Sequence, residues 1–139
     1  MLRNDSGLAF CRSTGAENGK GDASVKIGAP GEIFEGEARV AMTPDSAVQL
    51  RKLGYDCAIQ SGAGAKAGFS DDAYRAAGVE VLPDAAALWA ASDIVVKVRG
   101  PEPSEVELLR PGQTLISFFW PAQNEELMEA CRAKGANVI

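Results

Sequence analysis

Lys97 stands in Ile94-Val95-Val96-Lys97-Val98, a run otherwise apolar enough for a strand covered on both faces. An unpaired ammonium is costly in such a place. Lys97 must therefore reach a crevice, pair with an acid, or find water at a sheet edge or strand end. Arg39 lies in Gly36-Glu37-Ala38-Arg39-Val40-Ala41, between the first strand and the first helix. An arginine there can grip a carboxylate through two parallel N–H bonds, or remain a solvated loop residue. Arg99 reads as a surface residue. The third group is Trp120-Pro121-Ala122-Gln123-Asn124. Gln123 and Asn124 can read a polar ligand without bringing charge. Alternatively, Asn124 caps a helix and Trp120 packs the end of the sheet. The acid pairs Glu35/Glu37 and Glu125/Glu126 read as solvated loop and helix-start charges.

Several chemistries are excluded. The chain has no histidine, so no mechanism that needs imidazole is open to it. Cys11, Cys57 and Cys131 are scattered and read as reduced thiols, with no zinc-ligand spacing. Gly62-Ala63-Gly64 follows a strand and invites comparison with the dinucleotide fingerprint G-x-G-x-x-G. Position 67 is alanine, however, and the next glycine is Gly68. The segment reads as a tight turn rather than a phosphate cradle. A net charge of −5 gives no footprint for nucleic acid. No apolar run approaches a membrane span.

These residues need a scaffold, and the pattern supplies one. Short apolar runs alternate with amphipathic segments from Val25 onward, which predicts βα repeats and a parallel sheet. Strands are expected over 25–28, 56–60, 79–82, 93–98 and 114–119, with a sixth opening at 136–139. Thr43 is an N-cap, with Pro44 at the first helical position and Asp45 in the first turn. Further helices are expected after Ser70, at Pro83-Asp84, after Ser104 as cap, and over 125–134. The fold class is α/β: a doubly wound, mostly parallel sheet, Rossmann- or flavodoxin-like and expected to be incomplete at its C-terminus. At 139 residues the chain fits one domain. Residues 1–24 read as a disordered or non-native leader, with a native start at Val25 from a non-ATG codon as one reading. Residues 25–139 read as the domain.

Three anchors carry a family resemblance. The first is Lys26-Ile27-Gly28-Ala29-Pro30 followed by Glu37-Ala38-Arg39-Val40-Ala41-Met42-Thr43-Pro44. The second is Ser61-Gly62-Ala63-Gly64, and the third is Val96-Lys97-Val98. Together they resemble the N-terminal domain of the family that joins alanine dehydrogenase to the NAD-binding subunit of proton-translocating NAD(P) transhydrogenase. The resemblance covers residues 25–139. In alanine dehydrogenases a histidine that takes part in substrate chemistry follows the fifth strand; the matching position here is Trp120. Ser117-Phe118-Phe119-Trp120-Pro121-Ala122-Gln123-Asn124 is instead similar to the transhydrogenase pattern.

The resemblance implies hydride transfer between NAD(H) and NADP(H), coupled to proton movement across a membrane. It implies that the full-length subunit binds NAD(H) and forms a homodimer. NADP(H) would then sit on a partner domain, and a β subunit or membrane domain would carry protons. The location implied is cytoplasmic, peripheral to the inner membrane, with no direct membrane insertion by this segment. The NAD-binding Rossmann domain and an Arg-Gln-Asp loop are expected beyond the position of Ile139, so the 139-residue chain is expected to be inactive alone. In alanine dehydrogenases the residues matching Arg39 and Lys97 hold the carboxylate and carbonyl of a keto acid. Arg39, Lys97 and Gln123 are therefore expected cleft or small-carboxylate contacts, with no cofactor-binding or metal-ligating residue in this segment. The rivals are an alanine dehydrogenase fragment and a non-catalytic α/β module that binds a small carboxylate.

Overall fold

A computed structural model describes residues 24–139. The leader expected over 1–24 lies outside the described residues except for Ser24. Six strands form one parallel sheet: β1 (Lys26–Ala29), β2 (Asp56–Gln60), β3 (Glu80–Leu82), β4 (Ile94–Arg99), β5 (Thr114–Phe118) and β6 (Asn137–Val138). Their order is β3-β2-β1-β4-β5-β6. That is the Rossmann order, which decides between the two doubly wound forms expected. The chain reverses direction of growth between β1 and β4, and ligands of open α/β sheets sit outside the carboxyl ends at such a point.

Five helices connect the strands: α1 (Pro44–Lys52), α2 (Asp71–Ala76), α3 (Ala85–Ala91), α4 (Pro103–Val106) and α5 (Glu125–Ala133). Helix α1 starts as expected. Thr43 Oγ1 accepts from the Ser46 amide at 3.2 Å, and Ser46 Oγ accepts from the Thr43 amide at 2.9 Å. The pair satisfies two of the amides that a helix start leaves free. Helix α4 differs from expectation. Its cap is Glu102, not Ser104, because Pro103 already suits the first helical position with its fixed φ and missing N–H. The Glu105 carboxylate then reaches back to the Glu102 amide at 2.9 Å.

The two faces of the sheet bury two cores. One joins Ile27, Ala29, Cys57 and Ile59 to Ala47 of α1 and Tyr74 of α2. The Tyr74 hydroxyl, fully enclosed, donates to the Met42 carbonyl at 2.7 Å. The other joins Val95 and Leu115 to Trp89 of α3, Val106 of α4 and Cys131 of α5. Cys57 and Cys131 are free, and burial pushes both thiols up. Such thiols are poor nucleophiles.

Helices α1 and α2 cover only the β1–β2–β3 half of their face. Beside them Ile94, Val96 and Ile116 line a groove of about 560 Å3 with Leu50, Leu53 and Tyr55. Ile116 is 39% exposed and Phe118 is 70% exposed. A parallel sheet ordinarily has both faces covered, so this stripe is an exception among the described residues.

Leu115 and Phe118 lie on the same short strand, one enclosed and one open. Leu115→Ala is expected to cost about 2–5 kcal/mol, whereas Phe118→Ser stays within about 0.5 kcal/mol of the parent. Denaturant unfolding of the two variants checks this; equal losses would mean that Phe118 is covered.

Candidate functional site

Strand β1 leaves the sheet at Ala29, and its last pairing with β4 is Gly28 with Val95. Strand β4 continues to Arg99 with only β5 beside it, and its register with β5 slips between Val96 and Arg99. The amides of Val98 and Arg99 thereby lose a backbone partner on the β1 side. Glu32, from the loop after β1, takes both. Its Oε1 accepts from Val98 at 2.6 Å and its Oε2 from Arg99 at 3.3 Å. The carboxylate replaces the carbonyls of a strand that has turned away, as a buried amide requires.

The same Glu32 Oε2 lies 3.0 Å from Lys97 Nζ, and Glu105 Oε1 of α4 lies 3.0 Å from it on another side. The Lys97, Glu32 and Glu105 side chains are 1%, 1% and 5% exposed. Of the routes open to Lys97, the structure takes pairing with acids. The edge-strand route is ruled out because β4 is central. Two of the ammonium's three donors are thereby taken up by buried acids.

Arg39 lies nearby on the β1–α1 connection. Its Nε and Nη2 donate to the two oxygens of Glu37, each at 2.7 Å, and its amide adds a third bond at 3.0 Å. This bidentate pair is among the stronger polar contacts proteins make. Arg99 Nε donates to Glu37 Oε2 at 2.8 Å. Glu37 is therefore a buried hub rather than the solvated loop charge expected from sequence, and Arg99 is a paired residue rather than a plain surface one. The Arg39 hydrogen bonds hold the Glu37 carboxyl far below its ordinary range, and Glu37 in turn raises Arg39. The Arg39 side chain is still 64% exposed.

Arg39 and Lys97 line one recess of about 530 Å3 with Val96, Val98, Ile116, Ser117 and Phe118. The Ser117 hydroxyl is buried there with no protein partner. Gln123 is not with them. It ends a short 3-10 turn (Pro121–Gln123) after β5 and lies in an exposed recess with Asn124 and Glu125. Of the two alternatives for this loop, the capping and packing one is not what the structure shows. Asn124 does not cap α5 through its side chain; its Nδ2 donates backwards to the Trp120 carbonyl at 3.0 Å. Trp120 does not pack the sheet's end but is 58% exposed, at the start of the turn that Pro121 opens.

The Gly62-Ala63-Gly64 turn has an anion of its own. Asp71 accepts from the Gly62 amide at 2.9 Å and from Ser61 Oγ at 2.6 Å. Gly62 has φ +79°, which favours glycine. A side chain on Gly64 would meet the Tyr74 ring at 2.7 Å and the Phe69 carbonyl at 2.9 Å. The glycines thus serve turn geometry and close packing, as the sequence reading expected.

Sequence reasoning missed Glu32, Glu37, Glu105 and Arg99. A signal existed for the first: an ammonium on an apolar central strand demands an acid. Nothing in the linear pattern says which acid, since Glu32 is 65 residues away.

The model of the alanine dehydrogenase/PNT N-terminal domain matches residues 28–139. The chain is 76% identical over 115 residues to an NAD(P) transhydrogenase subunit alpha from Cereibacter sphaeroides, covering 83% of this chain. It is 42% identical to the Haemophilus influenzae counterpart over 113 residues, or 81% of this chain. An alanine dehydrogenase from Halomonas elongata is 40% identical over 115 residues, 83% of this chain and 31% of its own. This chain spans only 22% of the length of either transhydrogenase subunit. Among solved structures, an L-alanine dehydrogenase superposes with TM-score 0.79 at 36% identity, covering 83% of this chain and 32% of the other. A transhydrogenase from Sinorhizobium meliloti superposes with TM-score 0.77 at 31% identity, covering 81% and 33%. The resemblance drawn from the three sequence anchors is borne out.

Two outcomes follow from the ion pairs. Lys97→Ala leaves two buried carboxylates facing each other and is expected to cost about 3–5 kcal/mol, measured by denaturant unfolding; a loss near zero would show Lys97 to be solvated. Glu37 contributes stability while it is ionised in both states. That contribution is lost as pH falls below the ordinary carboxyl value of 4.5 towards the lower value in the folded chain. The stability of Glu37→Gln should therefore fall less steeply with acid below pH 4.5 than that of the parent.

Proposed function

The chain belongs to the alanine dehydrogenase/PNT N-terminal domain family, and from that premise we propose that it is the N-terminal portion of an NAD(P) transhydrogenase α subunit. The observation that carries this reading is the gap in identity: 76% to a transhydrogenase subunit alpha against 40% to an alanine dehydrogenase. The fold does not discriminate, since both branches superpose equally well. Trp120 agrees with the choice. An indole cannot exchange protons as an imidazole does, and no histidine exists elsewhere in the chain.

The reaction of the whole subunit is hydride transfer between NAD(H) and NADP(H), coupled to proton translocation. In such a reaction the protein positions two nicotinamides and excludes water, while the cofactors carry the chemistry. The whole subunit binds NAD(H) and works as a homodimer; NADP(H) lies on a partner domain. Contact with a β subunit or membrane domain holds the assembly at the cytoplasmic side of the inner membrane. No helix among the described residues is long and apolar enough to cross a membrane. Residues 25–139 form the first part of one wall of the NAD cleft.

Within that wall, we assign Arg39 and Gln123, exposed polar residues in separate recesses after β1 and β5, as cleft contacts. Lys97 supports the wall from inside, through Glu32 and Glu105. The carboxylate-module rival has to work with a Lys97 ammonium already shared between Glu32 and Glu105.

The 139-residue chain alone is expected to bind NADH weakly or not at all and to show no turnover. Isothermal titration is the check; micromolar NADH affinity in this chain would sink the division of labour proposed here.

A further inference from the structure

Three of the five phenylalanines and one of the two tryptophans line a single recess of about 340 Å3. Phe34 arrives on the loop after β1, while Phe118, Phe119 and Trp120 run out of the end of β5. Phe34 is 46% and Trp120 58% exposed. Such rings are costly to leave in water when clustered, and a concave aromatic patch of this size suits a small ligand. The walls are held in place. A side chain at Gly100 would meet the Phe119 ring at 3.2 Å, so the bare glycine lets that ring lie close to the end of β4. Arg99 lies over the Phe34 ring, 4.7 Å from its centroid, and its Nε is tied to Glu37. Its two terminal nitrogens have no hydrogen-bond partner among the described residues. Asn124 Nδ2 is spent on the Trp120 carbonyl, which leaves Oδ1 free to accept, and Asn124 lines the same recess. Glu102 is the acid on its wall.

We propose that the recess walled by Phe34, Phe119 and Trp120 takes a neutral, planar, nitrogen-bearing aromatic ring, with Arg99 and Asn124 reading the polar edge of that ring. This goes beyond the function proposed above, which assigns Phe34, Arg99 and Trp120 no ligand. Charge argues for a neutral ligand. Arg39, Lys97 and Arg99 at this edge of the sheet stand against Glu32, Glu37, Glu105 and Glu102, so no positive surplus remains to draw an anion. Shape argues for a ring. A flat π face can stack on an indole, a phenyl ring or a guanidinium. An aliphatic group of the same size fills the space but gives Arg99 nothing to donate to. A carboxamide or ring nitrogen accepts from Arg99, and an amide or amino N–H donates to Asn124 Oδ1. Nicotinamide and adenine both carry such an edge.

The test is NMR of the two indole Nε1–H signals in the 139-residue chain. Trp89 is fully enclosed and serves as the internal control, while Trp120 reports the recess. The readout involves no hydride transfer, so it stands apart from the transhydrogenase reading. Nicotinamide, adenosine and cyclohexanecarboxamide are titrated separately; the last resembles nicotinamide in size and amide but has no π face. Nicotinamide or adenosine is expected to move the Trp120 signal saturably in the millimolar range and to leave Trp89 in place, with cyclohexanecarboxamide moving Trp120 little. Tighter binding of nicotinamide would make a nicotinamide the source of the ring, tighter binding of adenosine a nucleobase, and equal binding a platform that takes either. Trp120 is exposed, so Trp120→Ala keeps the fold. Followed at the Arg99 Nε–Hε signal, that variant should bind about tenfold more weakly, the loss of one stacked ring, and Trp120→Phe should restore part of it. Overturning results are a shift that never saturates, an equal response to cyclohexanecarboxamide, or unchanged binding in Trp120→Ala with an unchanged circular dichroism spectrum.

Discussion

Everything at the carboxyl edge of this sheet depends on what happens when β1 stops and β4 does not. Two amides of a central strand are left without a backbone partner, in a partly buried place. Glu32 supplies the missing acceptors. A carboxylate in that position needs a counter-charge, and Lys97 provides it from the same strand. Lys97 then recruits Glu105 of α4, which ties the opposite layer to the β1–α1 connection. Buried ion groups of this kind are weak sources of net stability, but removing one member is severe. Their effect is to hold one arrangement of the strand ends where several would otherwise compete.

The scaffold was legible in the linear pattern because its signals are local. Thr43-Pro44 marks a helix start through chemistry contained in four residues. Val95 and Leu115 alternate with Ile94 and Ile116, so the strands could be placed, though not the order in which they pair. Lys97 shows where such reading stops. Its position on an apolar strand implied a partner, and the partner was found, but a separation of 65 residues cannot be read from spacing. Glu37 failed for the opposite reason. Two residues from Arg39, in a glycine-rich loop, it has the look of a solvated charge. Only the approach of Arg99 from a distant strand makes it a hub. Asn124 stands at the start of a helix, where asparagine is favoured as a cap, yet its side chain bonds back to the Trp120 carbonyl, a choice that composition alone leaves open.

The turn at Gly62 and the pair at Glu37 solve similar problems in opposite ways. In the first, backbone donors that could have held a foreign anion are given Asp71, and the turn is closed. In the second, one acid is shared by two bases, and donors are left over.

The uncovered stripe of Ile116 and Phe118 bears on the life of the polypeptide rather than its chemistry. During synthesis this domain can close its strands early, since each β–α unit pairs with strands already made. Its second apolar layer stays open until something lies across it. In a cell an open apolar stripe on an otherwise ordered sheet is the kind of surface that chaperones and proteases act on. For as long as such a stripe stays open, those agents have time to act on the chain.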